Sequence, residues 1–498
     1  MLGGAVCAAA YAFGPYALLT ATQVHILVRP GLPIVVGLVW TFADRWSERE
    51  RIETGATEGD GRTAPRLWPI LMLLGVVIAW QGTVSFYSAA FCSVVLAATA
   101  LVRVRSLRWG GLFRVAVAAG AGVVPVGLLA LPYLSTRQRY GSYGWSLSGV
   151  ADLSPKAGSF LSTDSQNVAW GELMGYETLG YGLRGALLFP GLVVFVLAVL
   201  GLLLALRSQE QRTRLVARLG VVLTLTGGLL ALGASEDGWR QFSLFRILYE
   251  LVPGWRSIRA PDRFWVVGIL GLGVLAAHGA CRVTSALEPT RGGPLLRRVV
   301  PAVVGATLVA TMVAEGYRRT DLVPVSIQPV DTAIAELPEG GVVYLPVNPG
   351  RQLDISLFGQ AEYVYRSTAH HRSVVNGKSS FFPPSYVEIS NRIHSLPSPK
   401  ARNCLLTHGI RYVVVSPRVN GTVWSQLRQP EKAAPLELIG RYDGDLLYGA
   451  PARRTLHARS ARDQPQGRAH AHPESSSDHR GRRKRATVSL SNRRWSSA

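Results

Sequence analysis

Residues 67–102 read LWPILMLLGVVIAWQGTVSFYSAAFCSVVLAATALV, a run with no charged side chain. A hydrocarbon core about 30 Å thick is crossed by roughly 17–25 apolar helical residues. The run is too long to cross once and suits two crossings. The polar pair Gln81 and Gly82 interrupts it, and apolar sequence resumes at Val84. The pattern predicts a tight helical hairpin with arms at 67–82 and 84–102.

Seven further stretches are mainly apolar, at 2–21, 30–44, 112–133, 187–206, 215–233, 264–282 and 298–316. One such stretch fits a soluble core, but nine in series predict an α-helical polytopic membrane protein. The arginines assign the sides. They cluster at Arg45, Arg49, Arg51, Arg62 and Arg66, at Arg103, Arg105 and Arg108, at Arg207, Arg212 and Arg214, and at Arg282, Arg291, Arg297 and Arg298. Basic residues in short loops stay on the cytoplasmic side. With nine spans all four clusters share one side, so the N-terminus is expected inside. Segments 22–29, 134–186 and 234–263, and everything after 316, are expected outside.

The 53 Lys and Arg against 31 Asp and Glu give a net charge of +22. The cytoplasmic loops and the tail account for most of this excess, so nucleic acid is not the expected partner. Residues 321–450 read as a small extracytoplasmic α/β domain. Strands are expected at 341–347 and 409–416, helices at 386–394 and 401–408, and a closing hairpin around Asp443-Gly444. Residues 451–498 lack apolar periodicity and are expected to be a disordered basic tail. The cluster Arg480–Arg485 there suits anionic lipid headgroups or nucleic acid, and an unstructured extension is the plainer reading. The four cysteines have neither disulfide nor metal spacing.

Two outer segments carry candidate chemistry. Loop 134–186 is rich in aromatic and acidic side chains. Trp145, Trp170 and Tyr176 suit stacking on the apolar faces of a sugar, and Asp164 and Glu172 are the carboxylates to consider as base. An interfacial aromatic belt with solvated acids explains the same composition. Before the eighth span, Arg256, Arg259 and Arg263 stand outside, against the positive-inside trend. Their spacing places them on one helical face if a helix forms through Pro261. Guanidinium forks suit phosphate, here a lipid phosphate at headgroup level. Ordinary interfacial anchoring by Arg and Trp255 is the alternative. His25 reads as an interface histidine and Glu315 as an acid reaching up to the outer surface. No metal set is found and no cofactor is identifiable, although a divalent metal is compatible with the reading.

Several segments together resemble a known family. They are Ala12-Phe-Gly-Pro15-Tyr16 followed by His25 and Leu32-Pro33, then Leu188-Phe-Pro-Gly191, then the stretch Leu251–Phe264. Tyr365–His370 with Asn376-Gly377 and Phe382-Pro383 completes the set. In this order they are similar to bacterial polytopic membrane proteins related to GT-C glycosyltransferases, over roughly residues 1–450. The resemblance implies a protein of the bacterial cytoplasmic (inner) membrane, acting in the cell envelope. It implies transfer of a sugar from a polyprenyl-phosphate donor on the outer face, with membrane lipid and polyprenyl-phosphate-linked sugar as partners. One departure matters. The family carries an acidic motif in its first outer loop, and 22–29 holds no Asp or Glu. The chain reads as N-terminally truncated, starting after the span that would precede that motif, so that the expected catalytic carboxylate is missing and the chain is inactive if so. No catalytic residue is carried over. A non-enzymatic transporter or assembly factor for surface polysaccharide is the competing reading.

Overall fold

The computed structural model describes residues 2–19, 24–54, 65–140, 145–176, 187–287, 294–319, 325–347, 356–377 and 383–450. The basic tail lies outside the described residues, as do Glu177 and the side chains of His25 and Tyr176.

The quoted run folds as two helices, α3 (Trp68–Val84) and α4 (Phe86–Val102), preceded by α1 (Leu2–Phe13) and α2 (Gly31–Glu53). The break falls at Ser85, not at Gln81-Gly82. Ser85 is extended (φ −167°, ψ 143°), and its hydroxyl accepts the Tyr87 amide as an N-cap. Gln81 continues the helix because its amide is used inside the bundle, where Oε1 accepts Gly31 N–H at 2.9 Å and Nε2 donates to the Val28 carbonyl. The expected span 2–21 is likewise divided. Pro15 follows Gly14 and opens a separate turn, Pro15–Leu19.

Then come α5 (Val104–Tyr140, broken at Arg108, which takes φ 47°), α6 (Leu192–Arg207), α7 (Gln211–Ala231), α8 (Trp265–Ala286) and α9 (Pro294–Gly316). Among the described residues, four helical segments are long and apolar enough to cross a bilayer: Val104–Thr136, Gln211–Ala231, Pro261–Ala286 and Leu295–Gly316. Helices α1, α3, α4 and α6 are apolar but shorter. The 17 residues of α3 rise about 26 Å. Helix α2 has the length, but it is charged from Asp44 onward. For these five, crossing rests on the sequence pattern alone.

Helix α8 is the axis of the bundle, buried on nearly every side against α1, α6 and α7. Small residues permit this. A Cβ on Gly201 would collide with the Leu275 carbonyl, and one on Gly279 with that of Leu197.

From 329 to 450 the fold changes. Helices α10 (Pro329–Glu336), α11 (Ser356–Arg366), α12 (Pro384–Ile393) and α13 (Pro399–Thr407) accompany a four-stranded sheet. After the two-residue strands β1 (Thr163–Asp164) and β2 (Gly175–Tyr176), its strands are β3 (Gly341–Leu345), β4 (Ile410–Val415), β5 (Glu437–Tyr442) and β6 (Asp445–Gly449). Their order is β3-β4-β6-β5, with β3 parallel to β4 and the other pairs antiparallel. Alternate residues serve two apolar clusters. Val343, Leu345, Val413 and Val415 pack with Ile393, Leu405 and Trp424, while Val342, Tyr344 and Val414 pack with Val330, Ile334 and Tyr363. The β5–β6 turn uses positive φ at Asp443 (39°) and Gly444 (88°), as the dipeptide implied.

Candidate functional site

The arginine segment does not form one helix. Ser243 caps Leu244–Leu251, and Gly254 then takes φ 85°. Trp255–Ser257 and Pro261–Phe264 are separate 3-10 turns, the second running into α8. The expectation of three arginines on one helical face is therefore corrected. Pro253, Gly254 and Pro261 divide the segment, and each arginine meets a different environment. Arg256 is 59% exposed and paired with Glu250 at 2.7 Å. The Arg259 guanidinium lies 5.2 Å from the centre of the Trp145 ring. Arg263 is 9% exposed, with its guanidinium 4.5 Å from the Tyr87 ring.

Two aromatic residues clamp this segment from other parts of the chain. Trp145 donates its amide to the Arg256 carbonyl at 2.9 Å and accepts the Tyr249 hydroxyl at 2.6 Å. The Tyr87 hydroxyl accepts the amides of Arg259 and Ala260 at 3.1 and 3.2 Å. Trp145, expected to stack on sugar, thus has its ring engaged by Arg259.

A further cation, Arg29, was not singled out from the sequence. It is 5% exposed, donates from Nη2 to the Tyr11 carbonyl at 2.7 Å, and lies 4.7 Å from the Tyr11 ring centre. Its Nη1 is buried without a hydrogen-bond partner. Tyr16, which donates to the Asp262 carbonyl at 3.1 Å, lies within electrostatic range of the Asp262 carboxylate and of both Arg29 and Arg263. Among the described residues no carboxylate forms an ion pair with either arginine. Burying a cation costs several kcal/mol unless an anion repays it, and tyrosine faces offset only part. Around this tyrosine two cations face one carboxylate, Asp262, so a net positive charge remains that an anion would complete. The signal for Arg29 was present: it lies in segment 22–29, which the arginine pattern leads one to expect outside, against the positive-inside trend.

The remaining candidates sit on segment 163–176, which is laid against the end of α9. Asp164 is buried, accepts the Gln166 amide at 3.0 Å and pairs with Arg318 at 2.9 Å. Glu172 is exposed on the short helix Gly171–Met174. Trp170 is half-buried, edge-on to Phe189 with ring centres 6.0 Å apart. Glu315 does not reach up to the surface as expected; it is 5% exposed. Its carboxylate accepts the Leu192 amide at 2.9 Å and the Val193 amide at 3.1 Å, capping α6, and accepts the Trp170 indole at 3.0 Å. The structure thus groups Trp145 with the arginines, and Asp164 with Trp170 and Glu315. Among the described residues no three His, Cys, Asp or Glu side chains converge on a point that could hold a metal ion.

No family model matches the chain, and no curated protein does. Several solved structures are similar in fold. One is an archaeal oligosaccharyltransferase, AglB from Archaeoglobus fulgidus, in complex with an inhibitory peptide and a dolichol-phosphate. It is 11% identical with a TM-score of 0.36, over 80% of this chain and 52% of that one. Another is the arabinofuranosyltransferase AftD from Mycobacteria, 15% identical with a TM-score of 0.37, over 90% and 31%. A third is ArnT from Cupriavidus metallidurans in the apo state, 13% identical with a TM-score of 0.34, over 90% and 82%. These neighbours are GT-C glycosyltransferases. The chain spans about half the length of the first and a third of the second. At these identities and scores the likeness bears on fold alone and carries no argument about reaction or substrate.

Proposed function

We propose that this protein binds a polyprenyl-phosphate-linked sugar at the outer face of the membrane and belongs to the GT-C type of sugar transferase. The observation that supports this reading is the pair of buried guanidiniums, Arg29 with its unpartnered Nη1 and Arg263 on Tyr87, with no acid paired to either among the described residues. A phosphate ester supplies the missing charge and accepts from both forks. Arg259, half-buried over Trp145, edges the same segment, and Arg256 lies at its exposed rim. An acceptor hydroxyl needs a base, and Asp164 is the buried carboxylate of the outer loop.

One observation favours a second reading, a non-enzymatic protein that handles lipid-linked saccharide. Asp164 is committed to Arg318, and Glu172 faces solvent.

A sugar-transfer assay with polyprenyl-phosphate donors, on protein in nanodiscs, separates the two. Turnover that is lost in Arg29→Ala and Arg263→Ala supports the transferase. Tight, arginine-dependent binding of polyprenyl phosphate without turnover supports the second reading. Absence of binding removes both.

A further inference from the structure

A second lipid-facing feature lies between α3 and α5, apart from the arginines above. The two helices meet backbone to backbone. A Cβ on Gly122 would stand 2.5 Å from the Gly75 carbonyl, and one on Gly75 would stand 3.1 Å from that of Ala118. Larger side chains stand away from this contact: Met72 is 60% exposed and Phe113 is 70% exposed. The result is an open groove of about 540 Å³, within the roughly 300–1,000 Å³ of ligand clefts. From Arg114 to Pro125 its wall on α5 rises roughly 16 Å, at about 1.5 Å per residue.

Every residue lining the groove is apolar except Arg114. Arg114 is exposed, donates from Nη1 to the Gly110 carbonyl at 3.0 Å, and lies 4.5 Å from the Trp46 ring centre. Of the nearby arginines, Arg103 pairs with Asp44 and Arg108 with Glu50 at 3.5 Å, while Arg105, outside the groove lining, is exposed without an ion pair to the described residues. Among the described residues, Arg114 has none. An apolar channel with one uncompensated cation at its end is complementary to an amphiphile with an anionic head. Basic pockets between membrane helices select anionic headgroups on this principle.

We propose that the α3–α5 groove is a binding site for an anionic glycerophospholipid, one acyl chain lying along Gly75 and Ala121 and the phosphate resting on Arg114. The site is separate from the outer arginines and does not depend on the transferase reading.

Native mass spectrometry of the full chain in detergent, titrated with phosphatidylglycerol or phosphatidylcholine, tests it. Phosphatidylglycerol occupancy should exceed phosphatidylcholine at least ~5-fold. Arg114→Gln, at an exposed position, should abolish that preference. Ala121→Phe, which fills the groove from its exposed rim, should lower retention of both lipids. Equal occupancy in the native chain overturns the proposal, as does a preference unchanged in Arg114→Gln. The Arg114 variant alone decides the matter if Ala121→Phe fails to fold.

Discussion

The Glu315 carboxylate and the Trp170 indole are hydrogen-bonded at 3.0 Å across 145 residues of sequence. The same carboxylate holds the first amides of α6, so one side chain ties three segments: 163–176, the start of α6 and the end of α9. The amides at a helix start carry partial positive charge, and a carboxylate is their natural complement.

Replacing Glu315 by Ala leaves the Leu192 and Val193 amides and the Trp170 indole without their acceptor. Each buried donor stranded this way costs about 1–3 kcal/mol. Hydrogen exchange at 192–196 and across 163–176 should quicken at least tenfold. Protection equal to the native chain would show that the cap does not hold the loop.

The arginines should rank by burial. Arg29→Ala and Arg263→Ala should each weaken polyprenyl-phosphate binding by about 1.5–3 kcal/mol, the range for a hydrogen bond to a charged group. Arg256→Ala should cost less than about 1 kcal/mol, because an exposed ion pair is worth little. Isothermal titration in nanodiscs gives the order. A larger effect at Arg256 than at Arg263 would move the phosphate site outward.

Asp164→Asn should lower any transferase rate by about 10²–10⁴-fold if the carboxylate is the base. Asp164 also pairs with Arg318, so loss of rate alone does not distinguish a base from a brace. A base should remove the acidic limb of the rate–pH profile. A brace should leave that limb and raise exchange at 163–176.

In the 329–450 fold, Arg366 is fixed between Asp331 at 2.8 Å and Asp445 at 2.9 Å. Arg366→Met leaves both carboxylates buried without a counter-charge, and breaking such a pair typically costs about 3–5 kcal/mol. Proteolysis within 329–450 under native conditions should become fast. A native digestion pattern would contradict the account.

His370 gives that fold a pH dependence. Its Nδ1 accepts the Arg372 amide at 3.1 Å, and its Nε2 meets the Tyr344 hydroxyl at 2.9 Å, contacts suited to the neutral ring. Burial holds the imidazole below its ordinary value, outweighing the opposite pull of Asp331. The unfolded chain therefore binds more protons just below pH about 6.5. This contribution to stability is whole above that pH and falls as pH drops toward the folded value. Exchange in 341–345, corrected for intrinsic rates, should rise between pH 7.5 and 5.5, and His370→Gln should flatten the change.

Much of this was legible in the sequence where a single physical term dominates. Continuous apolarity gave helices within each expected stretch, with 2–21 divided at Gly14-Pro15, and the valine runs with Asp443-Gly444 gave the sheet and its turn. Polar residues were misread where tertiary partners decide their role. Gln81 looked like a helix break, yet its amide serves Gly31 and Val28 inside the bundle. Glu315 looked like an acid escaping to water, yet it is a cap. The spacing of Arg256, Arg259 and Arg263 suggested one face, and Gly254 and Pro261 broke it. Arg29 was marked only by its place in 22–29; its role depends on Tyr11 and Tyr16, which no local pattern connects to it.

The bond from Asn167 to the Glu315 carbonyl spans 148 residues. A ribosome adding about 5–20 residues per second needs roughly 7–30 s to bridge that interval. Segment 163–176 is thus made early and must wait, unseated, until the last membrane helix arrives. Its assembly is timed by the synthesis of α9, and insertion machinery or chaperones have that interval in which to attend to it.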